Sequence, residues 1–281
     1  MKSRQDIYNT MAIQDELKKS EGYKIKRISK KSNLAKISLN NVARIEAMIS
    51  IDSDYRKSGD PNAKPQKPYP GSTAYWVTQL KHILIDGKKV SQDSRNLEEI
   101  LTEAIAAINR ENSTHLMVGG ADKVFLENLK KMPSKQLLTL LKSTDNKKKK
   151  ELIDLLNPTV EVVVKREDGS IIYTYDRSNY SFTTKFCHYL CLYLFEDSDE
   201  QDNYSIFDNV LGGILPEYAR AYLGDNWDDE YLKEKWTKDT FKDYQKYSDI
   251  VDEIRKAAAT KNPPMVSRNG FDHLLWYYHK G

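Results

Sequence analysis

The sequence predicts a mainly α-helical fold carrying one small β-hairpin, and three stretches lead to that expectation. Leu97, Ile100, Leu101, Ala104, Ile105 and Ile108 recur on one face of a helix. Phe182, Phe186, Tyr189, Leu190, Tyr193 and Leu194 do the same after Ser181, a residue type suited to N-capping. Between them, a valine-rich run (Val160, Val162, Val163, Val164) and a second run (Ile171, Ile172, Tyr173, Tyr175) flank Asp168-Gly169, the pattern of two strands and a turn.

Taken in order, residues 1 to 50 read as helical segments around a basic stretch. Residues 51–71 read as loop, because Pro61, Pro65, Pro68 and Pro70-Gly71 interrupt regular structure. A short apolar segment over 75–85 ends at Asp86-Gly87. After the 97–108 helix, short helices are expected over 122–131, 134–142 and 147–156. Thr144-Asp145-Asn146 marks a turn there, and Lys147 to Lys150 a solvated helix start. The hairpin follows, then the helix bearing Lys185 and an acidic loop over 196–202. A helix from Asp208 through Tyr222 comes next, and another over 241–259. A terminal helix after Pro263-Pro264 ends near Tyr278. Trp227, Trp236, Tyr244 and Tyr247 read as packing residues. The natural division is an N-terminal basic helical region with a Pro-rich loop (1–90) and a larger helical domain (91–281).

Composition narrows the function classes. A charged fraction of 30% against 39% hydrophobic residues describes a polar-surfaced globular chain. No apolar run reaches membrane-spanning length, and Met1-Lys2-Ser3-Arg4 leads into no apolar signal core, so no membrane partner and a cytoplasmic location are expected. Cys187 and Cys191, the only cysteines, sit one helical turn apart and are expected to be small core residues. Two cysteines cannot hold a four-cysteine iron–sulfur cluster, and the dispersed histidines match no zinc spacing, so no metal or cofactor is expected. Charge is segregated. From Tyr23 to Ile45 there is no acid, whereas Lys24, Lys26, Arg27, Lys30 and Lys31 form a basic stretch that reads either as phosphate contacts or as a solvated helix face. Between Ser181 and Glu230 acids predominate over Lys185 and Arg220.

Thr184-Lys185-Phe186, Cys191-Leu192 later in the same helix, and Ile206-Phe207-Asp208 beyond the acidic loop together resemble a known arrangement. They are similar to the second helix and the catalytic aspartate of the 8-oxoguanine-DNA-glycosylase-like superfamily of helix-hairpin-helix DNA glycosylases. The motif covers roughly residues 176–223 and the broader similarity 95–281. Phe271 to Trp276 also resembles the endings of bacterial glycosylase-like proteins of unassigned role. The sequence departs from the family at 176–181, where Asp176-Arg177-Ser178-Asn179-Tyr180-Ser181 lacks the glycines of the family hairpin.

The resemblance implies a helical bundle of the glycosylase type that acts on nucleic acid, DNA before RNA. It implies base excision, with Lys185 as nucleophile at the sugar C1′ and Asp208 as electrostatic stabiliser. A lysine must lose part of its hydration to be a free amine near neutral pH, since its ordinary pKa is about 10.4. Phe182, Phe186 and Tyr189 could supply that apolar surround. His188, Tyr189 and Tyr204 are candidates to line a base pocket by stacking. The alternative is a catalytically inactive descendant of that fold, used to bind nucleic acid or a protein partner, with phage defence as one setting.

Overall fold

The computed structural model describes residues 34–58, 69–92, 94–196, 198–224 and 239–280. In chain order they form α1 (Leu39–Ser58), α2 (Thr73–Leu84), α3 (Leu97–Asn112), α4 (Ala121–Lys131), α5 (Ser134–Leu141) and α6 (Asn146–Leu156). Strands β1 (Thr159–Lys165) and β2 (Ile171–Ser178) follow, then α7 (Tyr180–Leu194), α8 (Asn209–Leu223), α9 (Tyr244–Lys261) and α10 (Arg268–His279). The architecture is mainly helical with one antiparallel hairpin, as the periodicities predict. Two compact units form: residues 68–207, and residues 208–281 together with the chain up to residue 67. The division expected near residue 90 therefore falls inside the first unit.

In the 68–207 unit, α7 packs against α2, α3, α5 and α6. Its apolar face explains this central place: Phe182, Phe186, Cys187, Leu190, Cys191 and Leu194 are all buried. Phe125 of α4 meets the rings of Phe182 and Phe186 edge-on at 5.0 and 4.9 Å. Burying each such ring contributes about 1.5–3 kcal/mol. Helix α3 buries the face its spacing predicts and begins with a full capping box between Asn96 and Glu99. The 75–85 segment is helical too, with Ser72 Oγ accepting from the Tyr75 N–H at its start. Ser181 is not the N-cap of α7. The helix starts two residues earlier than that cap implies, at Tyr180 after Asn179, whose backbone N–H is held by the Pro158 carbonyl and Asn157 Oδ1 at the foot of the hairpin.

The hairpin pairs Val160 with Arg177, Val162 with Tyr175 and Val164 with Tyr173. Only its foot is buried. Val160 packs onto the 3-10 turn Val118–Gly120, while Ile171, Ile172, Tyr173 and Tyr175 remain exposed. Gly119 makes this contact possible. It has φ +71°, and a Cβ there would lie 2.9 Å from Val160 Cγ2. Gly119→Ala is expected to destabilise the protein by about 1–3 kcal/mol through positive φ and overpacking. A urea titration monitored by tryptophan fluorescence measures this.

In the other unit, α10 packs on α1 and α8, and α8 on α9. The loop expected from residue 51 starts later. Residues 51–58 contain neither glycine nor proline, and α1 runs through them to Ser58. Tyr244, Tyr247, Ile250, Val251 and Ile254 of α9 are buried, in keeping with the packing role expected of the two tyrosines. Trp227 and Trp236 lie outside the described residues. Tyr218 and Tyr222, one turn apart on α8, stack at 6.4 Å and accept the backbone N–H groups of Ala35 and Ile37 at 2.8 and 2.9 Å. A helical turn advances about 5–6 Å and two residues of extended chain about 7 Å, so the spacings match. Among the described residues no helix is long and apolar enough to cross a membrane.

Tyr218 Oη also meets His279 Nε2 at 2.9 Å, and His279 Nδ1 is buried with no hydrogen-bond partner among the described residues. An imidazolium would carry N–H donors on both ring nitrogens, one of them in that unpartnered position, and burial of the ring lowers the His279 pKa. The neutral ring thus contributes stability that is complete above the ordinary histidine pKa and is lost as pH falls through the lowered value. Unfolding midpoints are expected to drop between pH 7 and pH 5 more for the wild type than for His279→Asn.

Candidate active site

One stripe of α7 escapes full burial: Ser181, Lys185, Tyr189 and Tyr193, each a turn beyond the last. Lys185 is half-buried, between the fully buried Thr184 and Phe186 in sequence. Tyr189 stands one turn further on. Its ring stacks on Tyr193 at 6.4 Å, and its hydroxyl donates to Asn112 Oδ1 at 3.2 Å. Of the three residues expected to line a base pocket, Tyr189 alone keeps an accessible position beside the lysine.

His188 and Tyr204 do something else. Both are enclosed in the core, so neither presents a ring face for stacking. Residues 203–207 form a strap across α5 and α7, and these two side chains fasten it. The Tyr204 carbonyl can only accept, so at 2.8 Å the proton sits on His188 Nδ1. Tyr204 Oη donates to the Leu140 carbonyl at 3.0 Å, and Asn203 Nδ2 to the Leu141 carbonyl at 2.9 Å. These bonds add side-chain donors to the last carbonyls of α5, where Leu140 also accepts the Ser143 N–H at 3.2 Å. Thr184 Oγ1 accepts the Phe207 N–H at 3.1 Å, and the Phe207 ring packs against Tyr180 at 5.0 Å. Cys187 and Cys191 are free thiols in the same core, and burial pushes both pKa values up, away from thiolate chemistry. Their reading as core residues holds.

Asp208 caps α8, as expected from the sequence. Its Oδ1 accepts the N–H groups of Val210 and Leu211 at 2.8 and 2.9 Å, and its carbonyl accepts that of Gly212. Among the described residues Oδ2 accepts no hydrogen bond, and the side chain is half-exposed. The carboxylate is therefore oriented by the positive end of a helix while one oxygen stays available. Lys185 belongs to the 68–207 unit and Asp208 opens the other, and each is placed within its own. Lys24, Lys26, Arg27, Lys30 and Lys31 lie outside the described residues.

Sequence reading missed Thr184 and Asn203 as the fasteners of the strap. The available signal was a threonine within an apolar helix, which needs a partner for its hydroxyl. An open depression at the start of α3, lined by Arg95, Glu98, Glu99 and Glu103 among others, shares no residue with the α7 stripe. No family model, curated protein or solved structure matches the chain.

Thr184→Val keeps the side-chain volume but strands the buried Phe207 N–H. A loss of about 1–3 kcal/mol is expected. Urea denaturation detects it, and a shift within error of zero would show that the strap is held by other means.

Proposed function

We propose that the chain is a DNA glycosylase-like protein that excises a modified base, with Lys185 as nucleophile and Asp208 as the stabilising carboxylate. The observation that carries this reading is the fixed carboxylate of Asp208, with Oδ1 bound by two helix N–H groups and Oδ2 accepting none among the described residues. A group meant to stabilise developing positive charge works best when its orientation is settled before the reaction. Lys185 is half-buried on an aromatic helix stripe, which suits an amine that must shed hydration.

In this reading the Lys185 amine donates its lone pair to C1′ of the target nucleotide. The glycosidic bond breaks, and the base leaves with the bonding electrons and takes up a proton. Asp208 opposes the cationic charge on the sugar, and loss of the amine protons with opening of the ring leaves a Schiff base on Lys185. The setting is the cytoplasm, with DNA as the partner.

Borohydride added during incubation with duplexes carrying abasic sites or modified bases is expected to trap a covalent adduct. Lys185→Gln should form none. Asp208→Asn retains a capping side chain and so should keep its melting temperature within a few degrees, while trapping falls by about a hundredfold or more. A wild-type protein that traps nothing across a broad lesion panel removes the lyase reading.

A second reading has its own support. The enclosed rings of His188 and Tyr204, the acidic 3-10 turn Asp199–Asp202 and the missing hairpin glycines all favour a catalytically inactive module. Such a module would bind nucleic acid or a protein partner, with phage defence as one setting. Duplex binding by Lys185→Gln equal to that of a non-trapping wild type is its signature.

A further inference from the structure

Between Leu129 and Lys150 the chain carries eight lysines and one acid, Asp145. Four of the eight are occupied. Lys130 is braced by Glu98 and Glu127 at 3.1 and 3.2 Å, and Lys150 pairs with Asp154 at 2.5 Å. Lys149 is buried, with its ammonium on Asn146 Oδ1 at 3.0 Å, and Lys142 lies over the Phe195 ring. The other four, Lys131, Lys135, Lys147 and Lys148, are exposed and have no ion-pair partner among the described residues.

Their placement is costly for the fold. Helix α6 opens on four consecutive lysines and has no acid in its first turn. Cations at that end oppose the helix dipole, each by about 0.3–1 kcal/mol. Only the Asp145 cap, accepting from the Lys147 N–H at 2.9 Å, acts in the favourable sense. A sequence shaped for stability alone would place acids here. Local rules are broken most often where function requires it.

The geometry suits a polyanion with regularly spaced charge. Lys131 ends α4 and Lys135 is the second residue of α5, with a two-residue link between the helices, so this pair stands at one end of α5. Lys147 and Lys148 are the second and third residues of α6, which a four-residue link joins to the other end of α5. Helix α5 has eight residues and is about 12 Å long, comparable with the width of a B-form major groove. Two cation pairs flanking an element of that length suit a polyanion whose charges are closely and regularly spaced. An anionic membrane fits less well. Leu137, Leu140, Leu141, Leu152 and Ile153 are buried, which leaves Val124 and Leu155 as the exposed large apolar residues of α4 to α6, too few for an inserting face.

We infer that Lys131, Lys135, Lys147 and Lys148 form a docking surface for the phosphate backbone of duplex DNA. This deepens the proposed function and rests on it for the choice of DNA over other polyanions. The surface positions the duplex without reading its sequence, because lysine contacts to phosphate carry no base information.

The test is the affinity of the full chain for a random-sequence 20-base-pair duplex, measured from about 50 to 300 mM NaCl. Each phosphate contact contributes about 0.9 to the slope of log affinity against log salt. Changing all four lysines to Gln is expected to reduce the slope by about 3–4 and to weaken binding at least about tenfold at 150 mM salt. The same variant should melt no lower than wild type, since it relieves the conflict with the dipole. The pair Lys147→Glu and Lys148→Glu should melt higher and bind worse still.

A fourfold variant that binds like wild type overturns the inference. So does a wild-type protein that ignores duplex yet sediments with vesicles of 30% phosphatidylserine. The chemistry at Lys185 is read separately, by adduct formation, whereas the affinity and salt slope of the fourfold lysine variant read the docking surface. Lysine-dependent binding without any trapping upholds the docking surface and removes only the lyase.

Discussion

The hydrogen bond from the Phe207 N–H to Thr184 Oγ1 is the contact on which the candidate site most depends. With the His188 bond to the Tyr204 carbonyl, it fixes the last residues of the 68–207 unit to the helix that carries Lys185. The strap has no repeating ladder of its own, so side chains must supply the partners that secondary structure otherwise provides. That requirement explains why α7 buries Thr184 and His188 beside its apolar residues. Both are unsuited to a substrate pocket because they are already in use.

The second unit meets the same problem with different residues. Tyr218 and Tyr222 reach from α8 to an irregular segment at residues 35–37. Glu46 of α1 accepts from His273 and Asn269 of α10 at 2.7 and 3.1 Å. Arg255 is buried and donates twice to the Val266 carbonyl, while Asp252 takes both Arg255 and Arg268. These contacts place charge in poorly hydrated positions, where a lone partner would be far costlier than the pair is favourable. Truncating either side is therefore more damaging than removing both.

Much of the helical layout could be read from the sequence because it is local. The faces of α3 and α7, the Asp208 cap and the Asp168-Gly169 turn are each written within a few residues. What could not be read was long-range. Nothing near residue 39 announces that α1 pairs with a helix at residue 268, so the division was expected near residue 90. His188 and Tyr204 suggested a stacking pocket because they are aromatic and near Lys185 in sequence. Only the fold reveals that the Leu140 carbonyl and the strap use their polar atoms. The lysines at the start of α6 read as one solvated run, and only the fold separates the exposed Lys147 and Lys148 from Lys149, which is buried on Asn146, and Lys150, which pairs with Asp154.

The division of the molecule also bears on how it is made. Residues 68–207 are contiguous and can complete their core as soon as they leave the ribosome. Helix α1 emerges earlier but packs on α10, the last helix described. Its apolar side, with Val42, Ile45 and Met48, must then wait through the synthesis of an entire unit before its cover arrives. During that interval it is a natural client for a chaperone, and a truncated product would keep that side uncovered.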